Sequence, residues 1–189
     1  MTAPGAFDTR FARRRQRRAA VDQKLLEAIL QTVDPWQSIM DLGAGTGEMV
    51  RALRDAGRRY VSGVDGTPGI LDLTAGVVHE ADLTAVDRRW PVSCWAICLE
   101  VIEHIPAEHH SLLFENIAAS ATVGLILSVA VPGQRGRGHV SCRTPEFIAC
   151  EFGHRGYRLD EEATDNARRT AGHGWSSKLL VLRRRFPCS

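Results

Sequence analysis

Hydrophobic positions along this chain follow two rhythms. Val21, Leu25, Ile29 and Val33 lie four apart, which is helical spacing. They predict a helix from about Ala12 to Thr32, closed near Asp34-Pro35 because a residue before proline is driven out of helical backbone. Arginines 13, 14, 15, 17 and 18 fall on its solvated end. Short apolar runs follow at Ser38–Leu42, Tyr60–Val64, Val77–Ala81, Cys94–Leu99 and Gly124–Val131, and they read as strands. Cys94–Leu99 is continuously apolar, as expected of a strand buried on both faces. Helical patterns separate the runs: Glu48–Asp55, a weak one over Pro68–Thr74, and one opened by Pro106 with Leu113 and Ile117 facing inward. Thr144-Pro145-Glu146 opens another, running to about His154, with threonine as cap and proline in the first turn. Gly156–Leu159 and Lys178–Leu182 are the last expected strands, and the stretch between them is assigned no element. Strands alternating with helices predict an α/β fold, a mostly parallel central sheet with helices on both faces and an N-terminal helix.

Composition narrows the class. The 189 residues are 44% hydrophobic and 24% charged, a globular balance that excludes a disordered tail. The length predicts one domain over 1–189, with residues 1–11 frayed. No apolar stretch approaches the ~20 residues of a membrane span, and no secretory leader is read at the start. Five cysteines without a C-x-x-C argue against a zinc ribbon or a disulfide framework and for a reducing, cytoplasmic setting. The net charge is only +2 and no aromatic residue interleaves the arginine run, so nucleic acid is not the expected partner.

Candidate chemistry gathers where parallel sheets bind ligands, at the carboxyl ends of strands. Asp41-Leu42-Gly43-Ala44-Gly45-Thr46-Gly47 follows the first strand. Its glycines allow a tight turn and a close backbone approach to a ligand. Asp65, placed to accept ribose hydroxyls, closes the second strand, and Asp82 closes the third. Glu48 stands where a dinucleotide fingerprint has its third glycine, and Asp41 precedes the loop. Two acids repel a pyrophosphate and suit an amino group or a sulfonium, so a cationic, ribose-bearing cofactor is favoured over NAD. A phosphate-binding P-loop is excluded because no Gly-Lys-Ser/Thr follows.

These segments, with Ala81-Asp82-Leu83 and Leu99-Glu100-Val101-Ile102-Glu103-His104, resemble the class I S-adenosylmethionine-dependent methyltransferases over roughly Ser38 to Val131. The resemblance implies a Rossmann-like fold, with S-adenosylmethionine as cofactor and S-adenosylhomocysteine as product. It places Asp41, Gly43, Ala44 and Gly45 at the methionine end, and Asp65 with Gly66 at the ribose. Asp82 and the amide of Leu83 face the adenine, and Glu100 lines the mouth near the sulfonium. The helix over 12–33 is expected to cover the cofactor site.

Methyl transfer needs the acceptor in line with the methyl group, and a base where the acceptor carries a tightly held proton. His104, His139 and Glu103 are the catalytic candidates, while His109 and His110 are expected at a solvated helix start. Residues 130–140 form a glycine-rich loop able to act as a lid, with Arg135 and Arg137 as contacts for an acidic substrate. Trp175 is expected to close the sheet edge or line a substrate pocket. Glu100, Glu103, His104 and His139 are also similar to the divalent-ion set of the Hen1-type small-RNA 2′-O-methyltransferases. No resident metal is expected here. The expected function is methyl transfer to O, N or C of a small-molecule acceptor. The alternatives are a metal-dependent RNA 2′-O-methyltransferase and a non-catalytic protein that binds the cofactor as a regulatory ligand.

Overall fold

The structure is a computed structural model that describes residues 20–185. The arginine run and residues 1–11 lie outside the described residues. Helix α1 spans Gln23–Thr32, followed by β1 (Ile39–Leu42), α2 (Glu48–Asp55), β2 (Val61–Asp65), the single turn α3 (Ile70–Leu73) and β3 (Val78–Glu80). Then come β4 (Ser93–Leu99), 3₁₀ turns at Ile102–His104 and Ala107–His109, α4 (His110–Ala119) and β5 (Ala121–Ser128). The chain continues through α5 (Pro145–Gly153), β6 (Tyr157–Leu159), α6 (Glu161–Ala171) and β7 (Leu179–Arg184). The seven strands form one sheet in the order β3-β2-β1-β4-β5-β7-β6. β7 runs antiparallel to both its neighbours, and the other pairings are parallel.

The order reverses between β1 and β4, so the loops leaving their carboxyl ends open a crevice there. Side chains alternate across the sheet with the period of two that strands impose. Met40, Ala96, Cys98, Leu125 and Leu127 face α4 and α5, where Leu113, Phe114 and Phe152 complete one core. Ile39, Trp95, Ile97 and Ile126 face α1, α2 and α6, where Leu25, Ile29, Leu53 and Ala167 complete the other. Each large aliphatic group buried this way contributes about 1.5–3 kcal/mol.

Three expectations are corrected. The helix expected from about Ala12 to Thr32 is not continuous: residues 20–22 are non-helical, α1 runs from Gln23 with the Asp22 carboxylate capping the amides of Lys24 and Leu25, and residues 12–19 lie outside the described residues. The buried face of α1, with Leu25, Leu26, Ala28 and Ile29, packs into the layer against the sheet and α6. His110 is not solvated. It lies buried beside Phe114, its Nε2 is 2.9 Å from the Ile105 carbonyl, and burial lowers its pKa. The third correction is α6, which fills the stretch read as empty. Its inner stripe is Thr164, Ala167 and Ala171, too small to register as a hydrophobic pattern. Its signals were the Asp160 cap, Glu161 and Glu162 in the first turn, Arg168 and Arg169 in the last, and Gly172 after it.

Candidate functional site

The glycine loop leaves β1 under tight control. The amides of Gly43 and Ala44 both donate to the Val64 carbonyl of β2. Gly43, Gly45 and Gly47 all have positive φ, the conformation that favours glycine. The positions differ in surroundings: a Cβ on Gly43 would collide with Val101, whereas one on Gly45 would meet nothing within 4 Å among the described residues. Gly45 thus borders open space at the head of the crevice. Asp65 at the end of β2 holds the loop, its Oδ2 accepting from the Gly45 amide at 2.8 Å and its Oδ1 from the Thr67 amide at 2.9 Å. Asp41 is buried within β1, Ala44 is buried at the turn, and Gly66 is exposed beside Asp65. The Thr46 hydroxyl donates to the Glu48 carboxylate.

The third strand adds Asp82. Its Oδ1 accepts from the amide and the hydroxyl of Thr84, and these bonds hold its pKa down against the cost of partial burial. Asn116 on α4 donates to the Leu83 and Ala85 carbonyls, which fixes this loop against the core. The Ala81 amide donates to the Asp65 carbonyl, so the acids after β2 and β3 share one rim.

At the end of β4, Glu100 takes a left-handed backbone conformation with φ +55°. Its Oε1 accepts from the Ser128 hydroxyl at 2.8 Å, and its Oε2 lies 2.6 Å from the Lys178 ammonium. That ammonium also lies over the Trp175 ring, whose Nε1 donates to Asp22 at the cap of α1. Trp175 therefore joins α1 to the rim of the site. Sequence reasoning did not single out Lys178 or Ser128; the available signal was that Lys178 is one of only two lysines in the chain.

Glu103 lies three residues further on, in the 3₁₀ turn, with no exposed surface. Among the described residues, neither of its carboxylate oxygens has a hydrogen-bond partner. Burial pushes its pKa up to about 7, with the nearby Glu100 charge adding to the rise. Its backbone carbonyl accepts from the amides of Val140 and Ser141, which staples the glycine-rich loop after β5 onto this turn. The loop is thereby docked and brings His139 beside His104, with ring centroids 5.0 Å apart. A Cβ at Gly136 would strike the His139 ring.

The two rings share one arrangement. His104 Nδ1 is 3.0 Å from the Gly138 carbonyl, and His139 Nδ1 is 3.2 Å from the Gln134 carbonyl. A carbonyl can only accept, so each Nδ1 carries the hydrogen and the neutral ring keeps its lone pair on Nε2. Such a nitrogen can take a proton from an acceptor or ligate a metal. One donor atom each from Glu103, His104 and His139 fall within 4.8 Å of one another. Glu100, the remaining member of the set seen in the sequence, is instead engaged by Lys178 and Ser128.

No family model matches the chain, and no curated protein matches it. Solved structures do. The magnesium protoporphyrin IX methyltransferase of Synechocystis PCC 6803 with bound S-adenosylmethionine superposes with TM-score 0.68 at 20% identity, over 93% of this chain and 91% of that one. CalS10 from Micromonospora echinaspora, an amino pentose methyltransferase of calicheamicin biosynthesis, gives 0.66 at 15% identity over 94% and 97%. The small RNA methyltransferase HEN1 gives 0.65 at 19% identity, over 88% of this chain and 25% of that one. The doubly wound sheet, its antiparallel seventh strand and its glycine turn are therefore the Rossmann-like fold of the S-adenosylmethionine-dependent methyltransferases.

Proposed function

We propose that this chain is an S-adenosylmethionine-dependent methyltransferase that transfers a methyl group to O, N or C of a small-molecule acceptor in the cytoplasm. The observation that carries this reading is the clasp of Gly45 by Asp65 beside open space. It pairs a backbone cradle with a carboxylate at the strand-order reversal, where the fold binds ligands. A carboxylate has about four lone-pair sites, so Asp65 can hold the loop and still accept ribose hydroxyls. Among the described residues no helix is long and apolar enough to cross a membrane. Two of the structural neighbours carry names of small-molecule methyltransferases, which supports the acceptor class.

The displacement at the sulfonium carries its own driving force, so the chain's task is alignment and proton removal. Asp41, Gly43, Ala44 and Gly45 hold the methionine end, Asp65 and Gly66 the ribose, and Asp82 with Leu83 the adenine. Glu100 lies at the mouth near the sulfonium. His139 or His104, each with its lone pair on Nε2, takes the acceptor's proton, and Glu103 supports the pair from beneath. The docked loop fixes their positions before substrate arrives.

Calorimetric titration with S-adenosylmethionine and S-adenosylhomocysteine tests the cofactor. Micromolar binding is expected, weakened roughly tenfold or more in Asp65→Asn, since a charged acceptor is replaced by a neutral one. Absence of binding to both ligands overturns the reading. A screen that finds methylation of RNA or protein alone overturns the acceptor class.

A further inference from the structure

We propose that Lys178 is a positioning residue for Glu100 that cancels the carboxylate's charge at the mouth of the crevice, so that the site binds S-adenosylmethionine and S-adenosylhomocysteine with nearly equal affinity. This rests on the cofactor reading above and deepens it, by assigning the charge balance at the reacting end to one lysine.

The first observation is place. Glu100 follows β4, beside the reversal of strand order. The next residue, Val101, packs so close to Gly43 that a Cβ on that glycine would strike it. Glu100 therefore stands next to the glycine loop. Its side chain is 28% exposed and that of Lys178 only 12%, so the carboxylate is the more open member of the pair and the ammonium backs it. The second observation is restraint. Among the described residues only Ala75 and Glu100 have positive φ without being glycine. Such a backbone is costly and persists where its surroundings over-determine it. Here the Ser128 hydroxyl accepts from the Glu100 amide at 2.9 Å and donates to Oε1 at 2.8 Å, while the Lys178 ammonium lies 2.6 Å from Oε2. The third is that the lysine itself is held. Its ammonium lies 4.7 Å from the centroid of the Trp175 ring, and that ring donates to Asp22. Leu179, the residue after it, pairs with Ser128 across β7 and β5. The ends of β4 and β5 and the start of β7 thus build the pair together, and a partly buried pair is screened little by salt.

The charge of the ligand gives this pair its consequence. S-adenosylmethionine carries a sulfonium, whereas S-adenosylhomocysteine carries a neutral thioether. In the transfer, the acceptor's lone pair forms the bond to the methyl carbon as the carbon–sulfur bond breaks. The electron pair of that bond stays on sulfur, and the positive charge leaves the cofactor. An uncompensated carboxylate at the mouth would hold the sulfonium more tightly than the transition state, where that charge is already fading, and would slow the step. Glu100 paired with Lys178 keeps its place and its hydrogen bonds while exerting little net field.

The test is calorimetric titration of the full chain with each of the two ligands, read as the ratio of their dissociation constants. One pH and one ionic strength are used, so the charge of Glu103 and every other neighbour is common to all the proteins. The wild type should bind the two ligands within about threefold of each other. Lys178→Met leaves the carboxylate uncompensated and should move the ratio about fivefold to twentyfold toward S-adenosylmethionine. Glu100→Gln leaves the ammonium alone and should move it by a similar factor toward S-adenosylhomocysteine. The double variant should return to within about twofold of the wild-type ratio, since each substitution cancels the charge the other exposes. Lys178→Arg keeps the charge and should keep the ratio. Loss of a merely structural contact would weaken both ligands together and leave the ratio unmoved. The proposal is overturned if neither single variant moves the ratio, if both move it the same way, or if the wild type prefers the sulfonium by more than about tenfold. Should Lys178→Met fail to fold, the opposite shift in Glu100→Gln decides. A wild type that binds neither ligand overturns the cofactor reading and this proposal with it. Binding of both ligands with an unmoved ratio overturns this proposal alone.

Discussion

At the ends of β1 and β2 the Asp65 carboxylate accepts from the Gly45 and Thr67 amides, while near the ends of β4 and β5 the Glu103 carboxylate accepts from no described residue. Both acids follow strands on the same side of the sheet. The first region is fixed by its own backbone: the Val64 carbonyl holds the Gly43 and Ala44 amides, and Asp65 holds the Gly45 amide with lone pairs to spare. The second is well held in its backbone, through the Glu103 carbonyl, while the Glu103 carboxylate has no hydrogen-bond partner among the described residues. The first region is a cradle made by backbone, whereas the second is a buried carboxylate set beside two imidazoles by a backbone staple.

Substitution at the glycines breaks the first half of the comparison most severely. Gly43→Ala combines a left-handed backbone with a collision against Val101. It is expected to cost about 3 kcal/mol, read from the urea midpoint. Gly45→Ala meets no neighbour, so it should cost only about 1–2 kcal/mol of backbone strain while removing most of the cofactor affinity. Equal stability losses at the two sites would mean that Gly45 does not border a ligand space.

The second half is tested by pH. The ordinary glutamate value is 4.5, and folded Glu103 titrates at about 7. Between these values the folded chain holds a proton that the unfolded chain has lost. Its stability advantage is therefore full below 4.5 and disappears as pH rises through 7, a fall of about 3 kcal/mol. Denaturant midpoints of the wild type should decline across this window relative to Glu103→Gln. Parallel curves for the two proteins would show that the carboxylate is not isolated in solution.

The smallest effect sharpens the boundary between the regions. Lys178→Met removes the ammonium from Glu100 and from the Trp175 ring. The pair is partly solvated, so a loss of about 1 kcal/mol is expected by thermal or urea denaturation.

The cradle was legible in the sequence because its chemistry is local. Positive-φ positions call for glycine, and acids follow directly on the strands they close. The alternating strands were legible too, although β5 begins at Ala121 rather than Gly124, since it pairs with β4 from Ser93 onward. What remained hidden depends on distance or on small side chains. Glu100 and Lys178 are 78 residues apart, and nothing in either segment announces the other. The tautomers of His104 and His139 are set by two backbone carbonyls, which residue identity does not reveal. The burial of His110 comes from Phe114, one turn later on the same helix, and a histidine at a helix start does not signal it. α6 escaped because a stripe of alanine and threonine carries little hydrophobic signal.

The described sheet ends on both sides in a strand of only three residues, β3 with His79 and Glu80 turned outward and β6 with Arg158 exposed. Unpaired strand edges are the usual template on which neighbouring chains stack into aggregates. Stubs this short, carrying polar and charged groups, offer a second copy almost no ladder to extend. The protein can therefore be concentrated, as crystallisation or spectroscopy would demand, without its sheets zipping together edge to edge.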